Sequence, residues 1–158
     1  MIIIKIVQGP GNQCFQIAFG LSAAARLGTE LKLDISWFKE NSHHRQYILD
    51  RFNINCELAT EKEIYDIVKC NAPDFISYKW NQLNRLYLRP YYQRPKVVEA
   101  PETFDLNFKK IMDNTYVEGY FSSRDFFAEH INIVKERLKF KTGPNDANKR
   151  IIDNIKSE

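Results

Sequence analysis

MIIIKIVQGPGNQCFQIAFGLSAAARLGTELKLDI, residues 1–35, decides the fold. Residues 2–7 form a continuous β-branched run interrupted only by Lys5, the pattern of a strand buried on both faces of a parallel sheet. A glycine-bracketed turn follows. From about residue 12 to residue 27 Phe15, Ala18, Leu21 and Ala25 recur at helical spacing, and Gly28 supplies a C-terminal stop. Residues 30–35 then alternate as a second strand. The three elements make a β-α-β unit, which predicts an α/β, Rossmann-like fold.

Downstream the pattern is less regular. Residues 46–52 read as a short helix and residues 60–70 as a better one, with Thr60 and Glu63 forming a capping box. Residues 78–88 read as another helix, so the middle of the chain is expected to be helical. Residues 89–101 contain Pro90, Pro95 and Pro101 and read as an extended connector. Residues 115–121 read as a strand, and residues 123–140 as one helix capped by Ser123. The chain ends in a polar stretch followed by the amphipathic piece IIDNI. Convincing strands are scarce after residue 36.

Composition narrows the partners. The chain has 158 residues, enough for one core, and 23 Lys+Arg against 20 Asp+Glu leave a formal charge of +3. That balance points away from nucleic acid. Cys14, Cys56 and Cys70 include no CxxC pair, so neither zinc nor a redox dithiol is expected, and free thiols fit a reducing compartment. No stretch approaches the ~20 apolar residues of a membrane span. A cytoplasmic protein, at most peripheral at the inner face of the membrane, is expected.

The turn VQGPGNQCFQ, residues 7–16, has three readings. The unpaired N–H groups at a helix start attract anions, and Gly9 and Gly11 would let phosphates approach. A dinucleotide loop of an NAD(P)-dependent reductase would need glycine where Cys14 stands, although Asp34 lies near the spacing of a ribose-binding acid. A tight corner capped by Asn12 is the purely structural reading. A sugar-nucleotide loop is the third.

Three blocks in order favour the last: QGPGNQCFQIAFG at residues 8–20, LKLDISWF at 31–38 and YVEGYFSSRDFF at 116–127. With them the chain resembles the N-terminal part of glycosyltransferase family 11, the bacterial α-1,2-fucosyltransferases, whose openings look like GGLGNQMFQYAFG and whose later block looks like GYFQSEKYF. The resemblance covers roughly residues 1–140. It implies the N-terminal half of a GT-B enzyme that moves L-fucose from GDP-fucose to the 2-hydroxyl of a terminal galactose, with inversion and without a required metal or other cofactor. It places Gly9, Gly11, Asn12 and Gln13 beside the donor, with Asn12 as the catalytic candidate.

The family's second signature, HxRRGDY, has no counterpart here. The only His/Arg cluster, His43-His44-Arg45-Gln46, reads as a solvated loop. Residues 1–140 are therefore expected to form the N-terminal GT-B-like domain and residues 141–158 a linker or the start of a second domain. A separate C-terminal half is the expected partner, and the isolated chain is expected not to transfer fucose. A non-catalytic remnant or interaction module of the same fold is the alternative. An exposed apolar patch near the start of the first helix would mark the meeting face.

Other side chains have weaker claims. Asp34, Glu118 and Asp125 are candidate general bases, each with a structural alternative. Trp37 and Phe38 read as core or cleft wall, and Cys14 as a small buried hydrophobe. Tyr87, Tyr91 and Tyr92, interleaved with Arg85, Arg89, Arg94 and Lys96, read as a surface arm with tyrosines packed underneath, with contact to an acceptor sugar, a membrane or nucleic acid as the alternatives.

Overall fold

In the computed structural model, which describes residues 1–41, 45–68, 90–99 and 105–157, β1 (Ile2–Lys5), β2 (Leu31–Asp34), β3 (Glu57–Leu58), β4 (Lys96–Val98) and β5 (Thr115–Glu118) form one sheet. The strand order is β3-β2-β1-β5-β4, and every neighbouring pair is parallel. The fold is α/β and Rossmann-like. The order reverses between β1 and β5, which makes that junction the topological switch point.

Alternation along β1 sorts the core into two layers. Ile2, Ile4 and Ile6 join the main cluster with Ile17, Phe19 and Leu21 of α1 (Pro10–Leu27). Ile3 faces the other way and meets Tyr116 and Ile67, with Ile64 and Val68 of α3 (Glu61–Val68) packed against them. The run is apolar throughout because both faces are covered. α2 (Ser36–Glu40) follows β2. α4 (Ile131–Arg137) contributes Val134 to the main cluster. Just before it, His130 Nδ1 lies 3.1 Å from Ser22 Oγ of α1.

Local signals explain the helix ends. Gly28 closes α1 with φ +62°, a left-handed conformation that costs glycine little. Thr60 and Glu63 form the expected capping box: Glu63 N–H donates to Thr60 Oγ1 at 3.2 Å, and Thr60 N–H to Glu63 Oε2 at 2.8 Å. Glu63 Oε1 also receives Lys32 Nζ at 2.7 Å, which ties α3 to β2. The Lys32 hydrogen bond, followed by the two from Thr60, pulls the Glu63 carboxyl down to about 2.

A carboxyl with a lowered folded pKa stabilises the fold above its unfolded value of about 4.3, and that contribution disappears as pH falls toward 2. Side-chain NMR should find Glu63 titrating about two units below an ordinary glutamate, with α3 amide protection falling in the same window. A midpoint near 4.3 would remove this tether from the account.

Several sequence expectations are corrected. Asn12 does not cap α1: the helix starts two residues earlier, with Gly9 as N-cap and Pro10 in the first turn, because proline's fixed φ suits that position. Residues 46–52 contain only the 3-10 turn Leu49–Arg51. The proline-rich connector contains β4, an edge strand in which Pro95 stands just outside and Val97 is buried.

Residues 123–140 do not form one helix. The chain makes 3-10 turns at Arg124–Phe126 and Ala128–His130 before α4. Both Phe126 and Phe127 are buried, and Phe126 packs edge-on against Phe19 and Phe121, so core packing overrides helical continuity. Ser123 does cap this segment, accepting from Asp125 N–H at 3.2 Å. The helix expected at residues 78–88 lies outside the described residues.

The end of the chain is more ordered than its composition suggests. α5 (Asp146–Ser157) is a full amphipathic helix whose Ile151, Ile152 and Ile155 are exposed. Ile151 and Ile152 line an open cleft of about 1080 Å³ with Phe140 and Arg51. Among the described residues, Phe140, Ile151 and Ile152 thus form an exposed apolar cleft wall here. Among the described residues, no helix is long and apolar enough to cross a membrane.

Candidate functional site

The glycine turn leaves β1 at its C-terminal end and enters α1. Parallel α/β sheets present ligands at this edge, outside the strand ends. Gln8 adopts φ +68°, an uncommon conformation for a residue with a side chain. The turn is held there by Gln13, whose Nε2 donates to the carbonyls of Gln8 at 2.9 Å and Gln46 at 2.8 Å, while its Oε1 accepts from Ile48 N–H at 3.0 Å.

Gln13 is fully buried, and both ends of its amide are committed to backbone. It braces the turn from behind. One helical turn on, Gln16 is also fully buried. Its Oε1 accepts from Val7 N–H at 3.0 Å and its Nε2 donates to the Gly119 carbonyl at 3.0 Å. Gln16 therefore clamps the exits of β1 and β5 across the switch point. The signal in the sequence was a pair of carboxamides three residues apart in a helix whose following residues, Ile17, Ala18 and Phe19, are apolar.

The outward side of the turn carries the other residues. Gly11 is exposed and Asn12 is half-buried, and no side chain caps the helix. Among the described residues, the Asn12 amide side chain has no hydrogen-bond partner. The first intrahelical bond runs from Gln13 N–H to the Gly9 carbonyl, so the N–H groups of Gly11 and Asn12 precede the helical ladder.

Arg45 lies across the same turn: its Nε is 3.8 Å from where a Cβ on Gly9 would sit. The grip of Gln13 on Gln46 and Ile48 brings Arg45 there, although the sequence reads it as solvated loop. The first turn of α1 contains no acidic residue. The positive end of a helix and a guanidinium therefore adjoin with no carboxylate between them, an arrangement suited to an anion. His43 and His44 lie outside the described residues.

The other candidate residues have structural partners. Asp34 is buried; it accepts from Tyr116 OH at 2.7 Å and from Ser36 N–H at 2.8 Å, which ties it into the sheet. Burial, then the bond to Asp34, pushes the Tyr116 hydroxyl far above its ordinary pKa. Phe38 is buried, and Trp37 packs edge-on against it at 5.1 Å between ring centres.

Burial also raises the Cys14 thiol, opposite to the direction a nucleophile needs. Tyr91 and Tyr92 pack against the core, Tyr91 donates to Asp105, and Lys110 Nζ sits 5.7 Å above the Tyr92 ring. Arg85, Tyr87 and Arg89 of that arm, like Cys70, lie outside the described residues. Among the described residues, no group of three His, Cys, Asp or Glu is placed to hold a metal ion.

At the β5 exit, Glu99 Oε2 accepts from both Tyr120 N–H, at 2.6 Å, and Phe121 N–H, at 2.7 Å. Gly119 must stay small: an added Cβ would lie 2.5 Å from Glu99 Cβ and 2.7 Å from the Phe121 ring. Gly119→Ala should cost about 1–3 kcal/mol, the usual range for overpacking, and urea unfolding measures it. A loss below about 0.5 kcal/mol, within the range of neutral surface changes, would contradict this packing.

No protein-family model matches the chain, and no solved structure matches it. Among curated proteins it is similar to an alpha-1,2-colitosyltransferase of Escherichia coli, with 32% identity over 140 residues, 88% of this chain and 43% of that protein. The chain thus spans less than half the length of that relative. Over most of its own length it is similar to part of a glycosyltransferase.

Proposed function

We propose that this chain forms one wall of the cleft of a nucleotide-sugar-dependent glycosyltransferase of the α-1,2-fucosyl type. It would be the N-terminal half of a GT-B enzyme that moves L-fucose from GDP-fucose to the 2-hydroxyl of a terminal galactose, with inversion and without a resident metal. The observation that carries the reading is the uncapped start of α1 with Arg45 lying over Gly9. As the sugar leaves the donor, negative charge builds on the departing diphosphate, and preorganised N–H donors and a guanidinium lower the energy of that charge.

Gly9, Gly11 and Asn12 then face the donor. Gln13 acts from behind, holding the turn and Arg45 together. The neutral Asn12 amide reaches donor or acceptor without repelling phosphate. The similarity to a colitosyltransferase favours a second donor, a nucleoside-diphosphate colitose, at the same turn. The opposite wall belongs to a C-terminal half. On this reading residues 1–158 alone bind donor without transferring sugar, and the protein works in the cytoplasm or at the inner face of the membrane.

Titration calorimetry of the chain with GDP-fucose, a GDP-linked colitose and NADH tests the proposal. Either sugar nucleotide should bind and NADH should not. Binding of NADH in preference to both would establish the reductase reading, and absence of all binding would leave an interaction module of the same fold.

A further inference from the structure

A cavity of about 180 Å³ opens at the same sheet edge, at the switch point between the exits of β1, β5 and β4. Lys5, Val7, Val98, Glu99, Glu118 and Tyr120 line it. Its volume is about six times the ~30 Å³ share of a water molecule in the liquid, room for one monosaccharide ring. Gln16 joins it to the glycine turn, because the amide that holds Val7 also holds Gly119.

The electrostatics of the two places differ. At the start of α1 two positive features meet without a carboxylate. In the cavity, the Lys5 ammonium lies 3.4 Å from Glu118 Oε1, and Lys96 lies 3.2 Å from the same oxygen. Glu99 brings a second carboxylate, oriented by the N–H groups of Tyr120 and Phe121, and its Oε1 has no partner among the described residues. The two ammoniums offset the two carboxylates, so the crevice has no excess of positive charge for a phosphate, and the carboxylates suit hydroxyl donors, which they accept strongly. Tyr120 and Val98 add apolar wall.

We propose that this crevice is a neutral-pyranose subsite, with Glu99 and Glu118 accepting sugar hydroxyls and Lys5 donating to one, beside the anion site at the start of α1. The inference rests on the glycosyltransferase reading for the class of sugar. The ring comes either from the acceptor glycan or from the sugar of the donor.

Amide NMR titrations of the full chain test it, with three probes: methyl β-galactoside, GDP, and GDP-fucose. Methyl β-galactoside should give saturable shifts at Val98, Glu99, Gly119 and Tyr120 if the ring is the acceptor's. GDP-fucose should give them, beyond those of GDP alone, if it is the donor's. GDP alone should move Gly9, Gly11 and Asn12 and leave the crevice unchanged. Val98→Trp, at an exposed edge position, should fill the crevice and weaken the sugar-dependent shifts at least fivefold without changing the GDP affinity.

Sugar-dependent shifts that are absent from the crevice, or that persist in Val98→Trp, would overturn the subsite. A crevice that responds to GDP without its sugar would also overturn it. Failure of GDP to move the glycine turn, with sugar still entering the crevice, would instead overturn the donor-site reading and leave the subsite standing.

Discussion

Gln16→Leu is expected to lower the melting temperature by roughly 4–24 °C. Leucine matches the buried volume but removes both partners that Gln16 supplies, leaving Val7 N–H and the Gly119 carbonyl without their bonds. Each buried polar group left unsatisfied costs about 1–3 kcal/mol, so the two together cost about 2–6 kcal/mol. A domain of this size shifts by about 2–4 °C for each kcal/mol. Thermal unfolding measures the loss. A change under about 2 °C would show that water replaces both bonds and that the clamp is dispensable.

Arg45→Ala is expected to weaken sugar-nucleotide binding by about ten- to a hundredfold while leaving stability nearly unchanged. A charge-assisted hydrogen bond contributes about 1.5–3 kcal/mol, and every 1.4 kcal/mol is about tenfold in affinity. Arg45 is exposed, so its folded-state contacts are few. The wild-type affinity should also fall with added salt more steeply than that of the variant, since screening weakens an exposed charge. Equal affinity in wild type and variant would separate Arg45 from the anion site.

The parts of the fold that depend on local periodicity were legible in the sequence. β1, α1 and β2 could be read from an uninterrupted apolar run, a helical stripe and the Gly28 stop, and Thr60 with Glu63 announced α3. Tertiary decisions were not legible. Lys96–Val98 became a strand because β5 offers a parallel edge, which its prolines conceal. Phe126 and Phe127 broke the expected helix because the core takes both, Phe126 against Phe19 and Phe121 and Phe127 against Phe15.

The turn itself was readable as a tight corner between β1 and α1. The division of labour around it was not, because burial assigns it. Gln13 and Asn12 are neighbours of similar chemistry, yet one turns inward to three backbone groups and the other stays at the rim. Arg45 lies far from Gly9 in sequence and reaches it through the contacts of Gln13 with Gln46 and Ile48.

The start of α1, with Arg45, is proposed to bind the diphosphate of a sugar nucleotide. An amide NMR titration of residues 1–158 with GDP-fucose tests it most directly. The expected result is saturable shifts that begin at Gly9, Gly11, Asn12 and the Arg45 amide and are lost in Arg45→Ala. Binding that leaves those four amides unmoved, or no binding at all, would contradict it.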